Sequence, residues 1–152
     1  MAQGTKHMKA LTLTQPWATL VAIGAKRMET RSWQTKYRGP LAIHAAKGFS
    51  ESARLLLYRE PFVSCTEFEP PQGWGHFNLV PTGAIIAVVD LMDVIPTGNL
   101  GFGEQVFEPE RSFGDFGHGR FAWVLQYVRL LPQPVPCKGA LGLWTVPEGL
   151  IK

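Results

Sequence analysis

A chain of 152 residues with 45% hydrophobic and 18% charged side chains is long enough for one buried core and too apolar for a disordered or fibrous protein. Its two cysteines, Cys65 and Cys137, show no CxxC or Cys/His spacing, which argues against a disulfide framework or a structural zinc site and for free thiols in a reducing compartment. The net charge of +3 is mild, but residues 26–47 carry six cations against Glu29 alone while residues 51–115 carry ten acids against three arginines, so a two-faced molecule is expected.

The opening MAQGTKHMK is polar, and the stretch after it is interrupted by Thr12, Thr14, Gln15 and Pro16, so no signal-peptide core or membrane span is read there. Residues 1–7 read as an expression remnant ahead of a native start at Met8. A single cytoplasmic domain, monomeric and without membrane contact, is expected over residues 8–150.

Lys9 to Thr14 alternates aliphatic and polar residues at period two, which predicts a half-buried strand stopped by Pro16. Trp17, Leu20, Val21 and Gly24 follow at helical spacing and give a short amphipathic helix with Gly24 as its C-cap. Arg27 to Trp33 and Gly39 to Ala46 read as strands joined by the loop Gln34 to Arg38. Ser50 to Arg59 reads as a helix with Ser50 as N-cap and Glu51 in its first turn. Pro61 to Pro81, with Trp74, Gly75 and His76, reads as an irregular loop. The β-branched run Gly83 to Val94 predicts a central strand buried on both faces, with Asp90 and Asp93 at its far end. Residues 96–119 form a long loop in which Gly101 and Gly103 flank Phe102 and further glycines surround Phe107, Phe113 and Phe116; loops of that length usually carry function. Arg120 to Leu131 is a further strand, Pro132 to Cys137 an extended connector, and Leu143 to Val146 a last short strand. Five to six strands with two to three short helices describe an α+β domain whose sheet curls into a small barrel.

Gly24 to Arg31 reads GAKRMETR and fits the pattern G-x-K-x-x-E-x-R. With QPW before the first helix, YRGPLAIHAAK after the motif and GALGLW near the C-terminus, the sequence resembles the ASCH domains, a branch of the PUA-like superfamily, from about Lys9 to Pro147. The resemblance implies a PUA-like small β-barrel with a cleft between barrel and helices, an association with RNA or modified nucleobases, and functional positions at Lys26, Glu29 and Arg31. The residues themselves agree. Glu29 and Arg31, two apart on a strand, share a face, and Lys26 follows the helix end. A carboxylate between two cations stays ionised and orients them, while Lys and Arg hold a phosphate or stabilise an oxyanion. The structural alternative is a salt-bridge ladder across the sheet.

Further candidates for nucleic-acid contact are Gln15 and Trp17 at the helix start, Lys36, Tyr37 and Arg38 in the loop beside the basic strands, His44 and Lys47 after it, and Lys138 near the C-terminus. Asp90 and Asp93 lack a third ligand in sequence reach, so neither a metal site nor a cofactor is expected, a divalent cation entering only if the chain is a nuclease.

The leading functional reading is binding of single-stranded RNA through the basic cleft, with ribonuclease-type hydrolysis by Lys26, Glu29 and Arg31 as its extension. A branch of the ASCH-like proteins instead removes acyl groups from N4-acetylated cytidine with a Lys and a Thr of the motif plus a Glu elsewhere. Here Glu29 stands at the Thr position, a departure that counts against that deacylation, while a modified nucleoside stays the alternative partner to single-stranded RNA. A protein-interaction module in transcription regulation, as in coactivators that carry this domain, is the third reading.

Overall fold

The computed structural model describes residues 8–66, 80–98 and 105–151. β1 (Lys9–Leu13) buries Ala10, Leu11 and Leu13 and gives way at Pro16 to the short helix α1 (Trp17–Ala22). Gly24 ends that helix: its φ of +82° is the left-handed conformation that closes a helix C-terminus, and glycine adopts it without a Cβ clash. The Gly24 and Ala25 amides bond back to the Val21 and Leu20 carbonyls at 3.0 and 2.9 Å, and Ala25 packs beside Leu20. This reversal sends the chain from Lys26 into β2 (Met28–Arg31).

β3 (Gly39–Ala45), α2 (Glu51–Leu55), α3 (Phe62–Thr66), β4 (Ala84–Pro96), β5 (Phe121–Pro136) and β6 (Leu143–Thr145) follow. The strands form one sheet in the order β2-β5-β4-β3-β1-β6, with β1 and β3 parallel and the other neighbours antiparallel. The sheet curls as a half-barrel, and α1 packs on its inner face against β1, β3, β4 and β5. Alternation along the strands sorts the side chains. Leu11, Leu41, Ile43 and Ile86 join Val21 and Ala22 in the inner core, while Ala10, Ala42 and Ile85 pack on the outer face with Val146 and Trp144. This is the expected α+β architecture.

Several boundaries depart from the sequence expectation. Ser50 does cap α2, accepting from the Ala53 amide at 3.2 Å, but the helix tightens after Leu55 into a 3-10 turn over Leu56–Tyr58. Residues 62–66, expected to be loop, form α3. The Glu60 carboxylate accepts from the Ser64 amide at 2.9 Å and from its hydroxyl, and Phe62 anchors the turn between Trp17 and Phe113. The strand expected over Arg27–Trp33 is shortened to Met28–Arg31. The connector expected at 132–137 is instead the continuation of β5, with Val135 and Pro136 opposite Ile85 and Ala84. β2 pairs only with Phe121–Val124, so the remainder of β5 is a sheet edge, where a proline lacking its N–H costs no ladder bond. β4 is buried on both faces only from Ala84 to Val89; Met92 and Asp93 are exposed. Trp74, Gly75, His76, Gly101, Phe102, Gly103 and residues 1–7 lie outside the described residues. No described helix is long and apolar enough to cross a membrane.

Candidate nucleic-acid interface

Lys26 emerges from the Gly24 turn pointing inward. Its Nζ donates to the Met28 carbonyl and, at 2.9 Å, to that of Phe113, and lies 3.5 Å from Glu29 Oε1. Burial pulls the Lys26 pKa below that of a free lysine, against the opposing pull of the Glu29 carboxylate. The other oxygen of Glu29 takes Arg31, with Nε at 2.9 Å and Nη2 at 2.8 Å, and Arg31 Nη2 also donates to the Thr12 carbonyl at 3.0 Å. The three motif residues therefore form one Lys–Glu–Arg ladder whose side-chain exposure rises from 0% at Lys26 through 13% at Glu29 to 25% at Arg31.

As an edge strand, β2 has free backbone groups that need cover. The 105–120 segment supplies it. Glu110 accepts from the Arg27 and Met28 amides at 2.6 and 3.2 Å, the Asp115 amide donates to Thr30 Oγ1 at 2.9 Å, and Arg120 Nη2 donates to the Thr30 carbonyl at 3.1 Å. Burial raises the Glu110 carboxyl above its ordinary pKa, and the bond from the Arg27 amide and the Lys26 charge offset part of that rise. Sequence reading missed Glu110, Asp115 and Arg120. Their partners lie 82 to 90 residues away, and no local spacing records the contact.

An open cleft of about 550 Å³ lies between the end of β1, β2 and this segment, with Thr12, Thr14, Trp17, Glu29, Arg31 and Arg120 among its walls. Trp17 is half-buried, its ring edge-on to Phe62 at 6.2 Å between centroids. Gln15 is buried instead, its carbonyl accepting from the Thr19 amide at 2.9 Å and its amide donating to the Pro81 carbonyl at 2.7 Å. Lys36, Tyr37 and Arg38 are not brought to this cleft. Tyr37 donates its hydroxyl to the Pro40 carbonyl, Lys36 is exposed, and Arg38 binds the Thr35 and Tyr37 carbonyls at 2.8 and 3.0 Å.

His44, Lys47 and Lys138 line a second cleft of about 890 Å³ that shares Thr12 with the first. His44 is buried there, and its Nε2 sits 2.6 Å from the Cys137 carbonyl, an acceptor only, so this nitrogen carries the hydrogen. Nδ1 faces Thr12 Oγ1 at 3.2 Å, and that oxygen also accepts from the Trp144 indole at 3.0 Å. A Cβ on Gly139 would stand 2.7 Å from the His44 ring, so only glycine lets the backbone close over it. Asp90 and Asp93 are ion-paired with Arg129 at 3.2 Å and Arg38 at 3.6 Å, and no group of three or more potential metal ligands occurs among the described residues.

Ser112 also lines the first cleft, and its hydroxyl donates to Glu108 Oε2 at 2.8 Å, which invites comparison with a base-activated nucleophile. The same five-residue pattern E-P-x-x-S recurs at Glu60–Ser64. There the serine amide again meets the carboxylate at 2.9 Å, as at Ser112, and the hydroxyl bonds the second oxygen. Ser64 lines none of the clefts described above. The pair is therefore a device for capping a short helical turn, and it is assigned no chemistry.

The ASCH domain family model matches residues 11–127. The chain is 33% identical over 136 residues to Activating signal cointegrator 1 of Homo sapiens, and 37% identical over 139 residues to the Mus musculus protein of that name. Each match covers 88% of this chain but 21% of the relative, so the chain spans about a fifth of the length of the curated relatives it matches. An ASCH protein from Zymomonas mobilis has the same fold at 13% identity, with a TM-score of 0.57 over 95% of this chain and 91% of that one. A serine-to-alanine variant of that protein gives a TM-score of 0.56 at the same identity, over 96% and 92%. With β1 from Leu11 through the first part of β5 inside the family match, this chain belongs to the ASCH domain family.

Proposed function

We propose that this domain binds single-stranded RNA, with the Arg31–Arg120 cleft taking the sugar–phosphate backbone. One observation carries the reading: two guanidiniums line the same open cleft, each oriented but not consumed. Arg31 is held by Glu29 and the Thr12 carbonyl, and Arg120 by Asp115 and the Thr30 carbonyl. Their side chains remain 25% and 29% exposed. A guanidinium has five donors in a planar fork, so donors remain on each for a phosphate oxygen. Lys26, with its ammonium buried against carbonyls, serves by positioning Glu29 and through it Arg31. The test is anisotropy of a labelled single-stranded RNA across a salt series. Affinity should fall with a log–log slope of about −0.7 per phosphate contacted, and Arg31→Ala and Arg120→Ala should each flatten the slope by about that amount. Affinity indifferent to salt and to both changes would sink the proposal.

A hydrolytic reading centred on the motif beside this cleft, as RNA cleavage or as deacylation of an N4-acylated cytidine, has the lowered pKa of the buried Lys26 in its favour. To act on a substrate, that amine has to leave the Met28 and Phe113 carbonyls. Product formed from either substrate by the parent and lost in Lys26→Met would select this reading over binding alone.

A further inference from the structure

A bay of about 840 Å³ adjoins the Arg31–Arg120 cleft, shares Thr14 and Trp17 with it, and continues past Phe49, Leu55, Leu56 and Arg59. Its size is that of a small-molecule site. Both aromatic walls are fixed without a ligand. Trp17 stands edge-on against Phe62, while the Phe49 ring carries the Arg54 guanidinium 4.6 Å from its centroid and the Phe49 carbonyl accepts from Arg54 Nε at 3.2 Å. Leu55, 54% exposed, leaves apolar surface uncovered on the same wall. Two of the polar side chains on its walls are already engaged. Gln15 spends its amide on Thr19 and Pro81, and Ser50 caps α2 while bonding the Ser52 hydroxyl at 3.2 Å.

From this arrangement we infer that the bay is a base-stacking subsite, in which an unstacked nucleobase of the RNA held in the adjacent cleft seats against Trp17 and Phe49. The inference rests on the RNA-binding reading above. Trp17 walls both spaces, so the occupant of the bay is joined directly to the group held at Arg31 and Arg120. It must also offer flat faces to fixed rings, and a nucleotide unites an anionic backbone with a planar base in that way. Arg59, exposed at the far side, meets the next phosphate. With Gln15 and Ser50 engaged and ring surface on two walls, the seat reads chiefly the face of a base, so it accepts all four bases with similar strength.

The experiment compares a labelled single-stranded RNA with an abasic oligonucleotide of the same backbone and length, on the parent, Phe49→Ala and Ser52→Trp. Ser52 is exposed on α2 and lines the bay, so a tryptophan there fills it without disturbing the core. Thermal melting identifies any variant that fails to fold. Both variants should bind the RNA about 5- to 150-fold more weakly, the size of one lost base–aromatic stack, and bind the abasic chain as the parent does. Unchanged RNA affinity in both variants, or equal losses for the two probes, overturns the subsite while leaving the cleft intact. A parent that binds neither probe removes the RNA-binding reading and the subsite together.

Discussion

Two basic stretches of one segment meet opposite fates. Lys26 and Arg31 are drawn into a ladder that ends in the buried ammonium of Lys26, with Arg27 between them left exposed; between Thr35 and Arg38 the cations stay outside. Arg38 spends its guanidinium on the carbonyls of its own loop, and its ion pair joins a 40% exposed group to a 60% exposed one, Asp93. The residue types are the same. What differs is the backbone route into them: the left-handed Gly24 turn drives Lys26 beneath β2, whereas Lys36 and Arg38 follow no such reversal. Net charge along a sequence thus counts cations without saying which are structural and which are available.

The largest effect that tests this contrast is at Lys26. Lys26→Ala leaves two carbonyls and part of Glu29 unpaired in a buried place, and should cost about 3–5 kcal/mol in denaturant unfolding. Lys26→Met leaves the same groups unpaired but keeps the side-chain volume and opens no cavity, so it should cost less. A Lys26→Ala protein as stable as the parent would break the comparison.

A smaller, pH-dependent effect comes from Glu110, which accepts from the consecutive Arg27 and Met28 amides at the start of β2. Burial holds its pKa above the reference value of 4.5, so the folded state keeps a proton that the unfolded chain has released. Its contribution is fully present below pH 4.5 and is lost as pH rises through the folded pKa. Unfolding free energy measured upward from pH 4 should therefore fall less steeply in Glu110→Gln than in the parent. An identical slope in both would move the pH dependence to other groups. The smallest effect is at Arg38, where Arg38→Ala should stay within about 1 kcal/mol of the parent in the same unfolding assay, because an exposed, screened pair contributes little. A loss there that rivals Lys26→Ala would erase the distinction between inner and outer cations.

The parts of this molecule legible in the sequence were those fixed by neighbours in the chain. Period-two alternation located β1, the β-branched run located β4, and Gly24 marked the end of α1. The motif spacing put Glu29 and Arg31 together because a strand repeats every two residues. What escaped was set by distant contacts. The 105–120 segment reads as a Gly- and Phe-rich loop, and only the free edge of β2 explains why Glu110, Asp115 and Arg120 sit where they do. Likewise Gln15 looked available at a helix start, but its partner is the Pro81 carbonyl, 66 residues on. Phe49 carried no signal of its own, being one aromatic before a capping serine.

The placement of β6 has a consequence for how such a unit is carried. Lys9 of β1 stands opposite Thr145 of β6, and the Met8 carbonyl accepts from the Val146 amide at 2.9 Å, so both ends of the fold leave from neighbouring strands. A domain with adjacent ends can be spliced into a longer polypeptide with flanking chain arriving and departing at one place, and its sheet need not deform to admit it. The same seam also constrains folding during synthesis. A pairing across 136 residues needs nearly the whole chain present, so a ribosome has to release the β6 sequence before the first strand finds its second neighbour.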